Sequence, residues 1–139
     1  IEKENASIHV VAGEFENVTG PAKTYSPQTI LRLKAKLGAE LTLKIPKSYN
    51  ALIYILNGEL ETDGKIAEDL DMFWFNNDGE NISIKANKES RFILLSGEPL
   101  NEPVASHGPF VMNTQDEIRQ AMIDYQDGKM GKLIETFSN

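Results

Sequence analysis

Short runs in which apolar and polar residues alternate, broken at near-regular intervals by turn residues, fill the chain from residue 7 to residue 95. Such a pattern leaves little room for anything but β structure. In Leu31-Arg32-Leu33-Lys34-Ala35 and in Leu41-Thr42-Leu43-Lys44-Ile45 the repeat is two, the period of a strand with one face on a core and the other in water. The pattern predicts strands at residues 7–11, 29–36, 41–45, 52–56, 59–62, 65–68, 72–75, 82–86 and 91–95. Leu52-Ile53-Tyr54-Ile55-Leu56 is apolar throughout, which predicts a strand covered on both faces. Asp63-Gly64 between two such runs is a hairpin signal, because both turn positions need positive φ. Many short strands at this spacing predict an all-β sandwich or barrel, and a jelly roll fits the strand count.

The pattern changes after residue 96. Gly97, Pro99, Pro103, Gly108 and Pro109 mark a stretch that can be neither a central strand nor a helix. Thr114-Gln115-Asp116-Glu117 is a capping box, in which the Thr114 hydroxyl accepts the Glu117 N–H while the Glu117 carboxylate reaches back. Ile118, Ala121, Met122 and Tyr125 follow as one apolar helical stripe,. Gly128 suits the left-handed position just past a helix end. A short capped helix over about 114–128 is therefore expected. Its stripe must bury against the sandwich or against a neighbouring domain.

A length of 139 residues predicts one domain, 1–139, with a single core. There is no cysteine, so disulfides, thiolate metal sites and cysteine nucleophiles are excluded. This agrees with a reducing, cytoplasmic location. A formal net charge of −7, with 14 basic residues scattered among 21 acidic ones, argues against a polyanion such as nucleic acid. No run is long and apolar enough for a membrane span. The chain opens on Ile1-Glu2-Lys3-Glu4-Asn5 with neither an initiator Met nor a leader pattern,, and so reads as the middle of a longer sequence.

The inventory of reactive groups is small. The histidines are His9 and His107, far apart in sequence, so a two-histidine, one-carboxylate iron site would need distant segments to converge. His9 is expected at the surface of the first strand. His107 is expected in a Pro/Gly-rich loop with a backbone hydrogen bond to its ring, and a general-base role is the rival reading. Glu59 and Glu61 share a strand face,; a solvated face is the ordinary explanation and an acid/base pair the sharper one. In Met72-Phe73-Trp74-Phe75, alternation sends Phe73 and Phe75 to one face and Met72 and Trp74 to the other. Core packing of one face and burial of the other against a domain partner are expected, in preference to a stacking platform for bases. No phosphate-binding loop, dinucleotide glycine motif, nucleophile elbow or EF-hand is present.

The segment Gly97-Glu98-Pro99-Leu100-Asn101-Glu102-Pro103, followed by His107-Gly108-Pro109-Phe110-Val111-Met112-Asn113-Thr114, resembles the C-terminal signature of the pirin family. Gly20-Pro21-Ala22-Lys23-Thr24-Tyr25-Ser26-Pro27 and Ile53-Tyr54-Ile55-Leu56-Asn57-Gly58 fit the second domain of the same family. Pirins are bicupins built from two tandem jelly rolls, and the resemblance is to the second. In metal-binding cupins, a first motif places two histidines and a glutamate between two glycines. With Gly38 and Gly58 as those glycines, the ligand positions fall on Lys44, Pro46 and Ala51. A second motif places a histidine three residues beyond a glycine; with Gly79 in that place, the position is Ile82. None of these residues can hold iron, and a shift of one residue introduces no His, Asp, Glu or Cys. Leu41, Leu43 and Ile45 take the inner face of their strand, so Lys44 is expected outside; the rival places it in an emptied pocket, binding an anion.

The resemblance implies no metal in this domain and iron in an N-terminal cupin held by histidines and a glutamate. It implies that cupin as the main partner, with regulatory proteins as further candidates and no direct contact with nucleic acid or membrane. Three functional expectations follow. The chain is a metal-free structural half, or it is part of a quercetin 2,3-dioxygenase-like enzyme whose iron site lies upstream, or it is a docking module for transcriptional regulators. No catalytic residue is expected in the chain itself.

Overall fold

The computed structural model describes residues 1–133. The strands in chain order are β1 (Glu2–Lys3), β2 (Ala6–Ala12), β3 (Glu14–Phe15), β4 (Val18–Thr19), β5 (Gln28–Ala35), β6 (Glu40–Lys44) and β7 (Asn50–Asn57). They continue with β8 (Glu59–Thr62), β9 (Lys65–Glu68), β10 (Met72–Trp74), β11 (Asn81–Ala86), β12 (Ser90–Gly97), β13 (Ala105–His107) and β14 (Phe110–Met112), and the helix α1 (Gln115–Gln126) follows. The chain divides into two compact units, Ile1–Leu100 and Asn101–Asn139.

The first unit is a jelly-roll sandwich. A six-stranded sheet runs β1-β2-β5-β12-β7-β10 and a four-stranded sheet runs β6-β11-β8-β9, with every pairing antiparallel. Alternation is the cause. Leu31, Leu33 and Ala35 of β5, Ile53 and Ile55 of β7, and Phe92 and Leu94 of β12 turn inward from the large sheet, where they meet Leu41, Leu43, Leu60, Ile82 and Ile84 from the small one. Apolar area removed from water drives this assembly at about 25 cal/mol per Å².

Every strand expected from the sequence forms, several of them a residue or two longer. One expectation needs correction. β7 is not covered on both faces: Ala51, Ile53 and Ile55 are buried, whereas Leu52 and Tyr54 are half-buried and Leu56 is exposed. Its outer side chains belong to an apolar sheet surface. Across β5, β12, β7 and β10 one row is Ile30, Leu95, Leu52 and Trp74, and the next is Arg32, Ile93, Tyr54 and Met72. A third row joins Lys34, Arg91 and Asn57. Leu95, Trp74 and Met72 are 41%, 68% and 52% exposed.

Two turns show what the backbone demands. Asp63 and Gly64 both have positive φ, 48° and 72°, as a two-residue hairpin with right-handed twist requires. Gly58 has φ 104°, and a β-carbon there would lie 2.6 Å from the Glu89 carbonyl oxygen. Its N–H donates to Asp69 Oδ1 at 2.5 Å, and the neighbouring Glu59 N–H donates to the buried Ser90 Oγ at 3.0 Å.

In the second unit β13 and β14 form a hairpin closed by Gly108-Pro109, with Gly108 at φ 55°, the first-position glycine that suits a type II′ turn. The stretch expected to be loop therefore pairs with itself. This is compatible with its prolines, because Pro99, Pro103 and Pro109 all lie outside the two strands,.

The two glycine positions separate by experiment. Gly58→Ala combines a forbidden φ with a backbone clash and should lower the urea midpoint by the equivalent of about 2 kcal/mol or more. Gly64→Asn, at an open left-handed position, should cost less than about 1 kcal/mol.

Candidate functional site

The inner ends of β6, β7, β10 and β11 frame a cleft of about 160 Å³ in the sandwich unit. Ile45, Tyr49, Ala51, Phe73, Phe75 and Ile82 line it with apolar surface, and Asp63, Lys65, Asn76 and Asn77 stand among its polar groups. The Phe75 N–H donates to the Ala51 carbonyl at 3.0 Å and the Ile45 N–H to the Glu80 carbonyl at 2.8 Å, which pins the walls. Phe73 and Phe75 lie with ring centroids 6.2 Å apart, tilted by 38°, and both pack against the core. Asn77 Nδ2 donates to Asn50 Oδ1 at 3.1 Å.

The positions inferred from the cupin pattern are distributed unevenly around this cleft. Pro46, Ala51 and Ile82 line it. Lys44 does not: Leu43 beside it is wholly buried, Lys44 is exposed, and it pairs with Asn81 on the outer side of the small sheet. That is the placement alternation predicts, and it removes the ammonium from the pocket. A ring nitrogen or carboxylate is needed to bind iron in such a place, and Pro46, Ala51 and Ile82 supply neither. These three side chains offer a metal no donor. Among the described residues, no group of three or more His, Cys, Asp or Glu side chains is placed to hold a metal ion.

The remaining candidates are also dispersed. His9 is exposed on β2, opposite Arg32. His107 ends β13 opposite Phe110, also exposed. Glu59 and Glu61 share a face, but that face is not simply solvated. Lys88 Nζ lies 2.8 Å from Glu59 Oε2 and Asn87 Nδ2 lies 3.3 Å from Glu61 Oε2. The Lys88 hydrogen bond, opposed by partial desolvation, holds the Glu59 carboxyl below its ordinary range, and Glu59 in turn raises Lys88. A carboxylate held ionised in this way is a poor proton donor.

The signature residues have local structural work. Gly97 closes β12 opposite Asn50, and the Glu98 N–H donates to the Pro27 carbonyl at 3.0 Å; Pro99 next to them is half-buried. Asn113 Nδ2 donates to the Pro103 carbonyl at 2.9 Å and to Glu102 Oε2 at 3.0 Å, tying the proline stretch to the helix start. Met112 lies opposite Ala105 in the hairpin. The capping box is complete: the Glu117 N–H donates to Thr114 Oγ1 at 3.2 Å, and the Thr114 N–H donates to Glu117 Oε2 at 2.8 Å. At the other end, Lys129 N–H reaches the Asp124 carbonyl and Gly128 N–H the Tyr125 carbonyl, with Gly128 at φ 70°, the paired bonds of a Schellman close. The stripe is narrower than expected. Ile118 and Ala121 are buried, but Tyr125 is 67% exposed and meets Phe110 edge-on at 6.3 Å.

Two antiparallel sheets in jelly-roll order, with a cleft between the ends of β6, β7, β10 and β11, define a cupin. The chain belongs to the pirin C-terminal cupin domain family, whose model matches residues 30–131. A putative quercetin 2,3-dioxygenase of Pseudomonas aeruginosa is 34% identical over 122 residues, covering 88% of this chain and 43% of the relative. Human pirin is 34% identical over 134 residues, covering 93% of this chain and 46% of the relative. The crystal structure of a quercetin 2,3-dioxygenase from Acinetobacter baumannii superposes with a TM-score of 0.88 at 32% identity, over 96% of this chain and 46% of that one. The chain thus spans less than half the length of these relatives. No described helix is long and apolar enough to cross a membrane.

The capping box makes a measurable prediction. Hydrogen bonds from the Thr114 hydroxyl and backbone, and from the Asn113 N–H, depress the Glu117 carboxyl. A depressed folded-state value means stability that is present above the ordinary glutamate range and lost as pH falls through the depressed value. Amide exchange at the first turn of α1 should quicken over that acid interval. Glu117→Gln should flatten the part of the dependence due to this group, and Thr114→Ala should cost about 1 kcal/mol at neutral pH.

Proposed function

We propose that this chain is the structural half of a pirin-like bicupin: a cupin that holds no metal of its own and packs on an iron-bearing N-terminal cupin. The observation that carries the reading is the cleft itself. Where a metal-binding cupin presents histidines and a glutamate, this one presents Pro46, Ala51 and Ile82, side chains that cannot donate to a metal. The sandwich around it is nonetheless complete and well packed. Loss of donors with retention of core is what a domain kept for shape and contact would show. The length of the relatives supports the same reading, since more than half of each lies outside the match.

The chemistry of the longer protein is then an oxidation carried out upstream, with this half supplying stability. Relatives named as quercetin 2,3-dioxygenases favour that class. Elemental analysis of the 139-residue chain after gentle purification should find iron well below one atom per chain, and stoichiometric iron would end the reading. Oxygen-dependent turnover of a flavonol is expected from a pirin-like protein carrying both halves and not from this chain alone. Turnover by the chain alone would place the chemistry here instead.

A further inference from the structure

One side chain of the cleft is not explained by packing. Among the described residues four polar side chains are buried, Thr29, Thr62, Ser90 and Ser96. Three of them bond within the fold. Thr29 Oγ1 donates to the Glu14 carbonyl at 3.4 Å, Ser90 Oγ to the Lys88 carbonyl at 2.9 Å and Ser96 Oγ to the Thr29 carbonyl at 3.1 Å. Thr62 is 6% exposed, lies on the same inward face of β8 as Leu60 and lines the cleft. Among the described residues its hydroxyl has no hydrogen-bonding partner. Every fully sealed side-chain nitrogen or oxygen of those residues is bonded, so the Thr62 oxygen keeps a small opening, and the cleft lies on its side. A hydroxyl so placed is poorly hydrated and costs stability until something bonds it.

The walls select a ligand. Tyr49, Phe73 and Phe75 are half-buried, pack against the core and line the cleft. Its volume of about 160 Å³ is close to the roughly 150 Å³ of an apolar cavity that accepts one benzene ring. The charged groups of the lining are Asp63, Asp78 and Glu80 against a single ammonium, Lys65. Among the described residues, none of the four takes part in an ion pair. Asp63 and Lys65 flank Thr62 in the β8–β9 hairpin and offset each other, which leaves Asp78 and Glu80, in the loop between β10 and β11, without a balancing cation in the lining. Four residues along β11 from Glu80 is Ile84, about 14 Å away. It lies level with Thr62 when the pairing of Leu60 with Ala86 and Glu61 with Lys85 is carried on. We propose that the cleft binds a phenolic arylalkylamine, with its ring against Phe73 and Phe75, its hydroxyl bonded to Thr62 and its ammonium facing Asp78 and Glu80. A phenol and an ammonium joined through an ethyl chain, with a hydrogen bond at each end, span a length of that order. Offset or edge contacts hold the ring, and the same two carboxylates refuse an anionic phenol. The proposal holds whether or not this chain is one half of a bicupin.

Amide chemical shifts of the isotope-labelled chain, followed while a ligand is added, test the site and its chemistry together. The probes are tyramine, phenethylamine, which lacks the hydroxyl, and hydroxyphenylpropionate, which exchanges the ammonium for a carboxylate. Tyramine should move the amides of Thr62, Phe75 and Glu80 with a Kd on the order of 1 mM, the scale a ligand of about ten heavy atoms reaches. Phenethylamine should bind about tenfold more weakly, the loss of one hydrogen bond, and hydroxyphenylpropionate should not bind. Thr62→Val should bring tyramine down to the level of phenethylamine and leave phenethylamine unchanged. Asp78→Asn combined with Glu80→Gln, both in an exposed loop, should weaken the two amines severalfold and equally, and keeps the test open if the Thr62 variant fails to fold. Cleft amides unmoved by tyramine at about ten times that concentration would overturn the proposal. So would binding of hydroxyphenylpropionate as tight as that of tyramine, or shifts confined to acidic surface elsewhere. Equal losses for both amines in Thr62→Val would also overturn it, because the hydroxyl would then recognise nothing.

Discussion

The antiparallel pairing of β12 with β5 on one side and β7 on the other organises the sandwich. Its register runs from Ser90 opposite Ala35 to Gly97 opposite Gln28, and on the other flank from Arg91 opposite Asn57 to Gly97 opposite Asn50. A strand hydrogen-bonded on both edges cannot slip by one residue without exchanging its faces. Phe92 and Leu94 are therefore held in the core with no exposure, and Ile93 and Leu95 are held outside. The single irregularity, between Arg91 and Phe92 on the β7 side, falls where Gly58 and Ser90 bring the chain close to itself.

The same period of two decides the character of the cleft. Once Leu41, Leu43 and Ile45 point inward, Lys44 must point outward, and the pocket receives only what its neighbours offer. Those neighbours include Pro46, Ala51 and Ile82. The aromatic rings of Phe73 and Phe75 and the bonded walls then make a small recess of mixed character, with Asp63, Asp78 and Glu80 on its rim. Beside it, Asn77 Nδ2 donates to Asn50 Oδ1.

Much of this was legible in the sequence, and the reasons differ by element. The long strands were visible because each has one buried face, and the helix because Thr114, Glu117 and Gly128 mark both ends. The two-residue pairs β1, β3 and β4 escaped notice because two residues carry no periodicity. The β13–β14 hairpin was hidden by prolines that flank its strands and fill its turn without entering either strand. β7 misled for a different reason. An unbroken apolar run signals burial on both faces, but here the outer residues form a surface, and a single sequence cannot distinguish a covered face from one left uncovered. The ion pair of Glu59 with Lys88 joins β8 to the turn between β11 and β12 and was invisible to local pattern.

The edges of the large sheet carry a final consequence. It ends at β1 and β10, strands of two and three residues, so it offers almost no row of free backbone donors and acceptors. A neighbouring chain cannot readily extend such a sheet by adding a strand. Contact with the sheet must then be made through side chains, which repack and separate without unfolding, and amyloid-like stacking is discouraged where Met72, Trp74 and Leu95 stand exposed. The short edges thus let a sticky face exist without becoming a seed for aggregation.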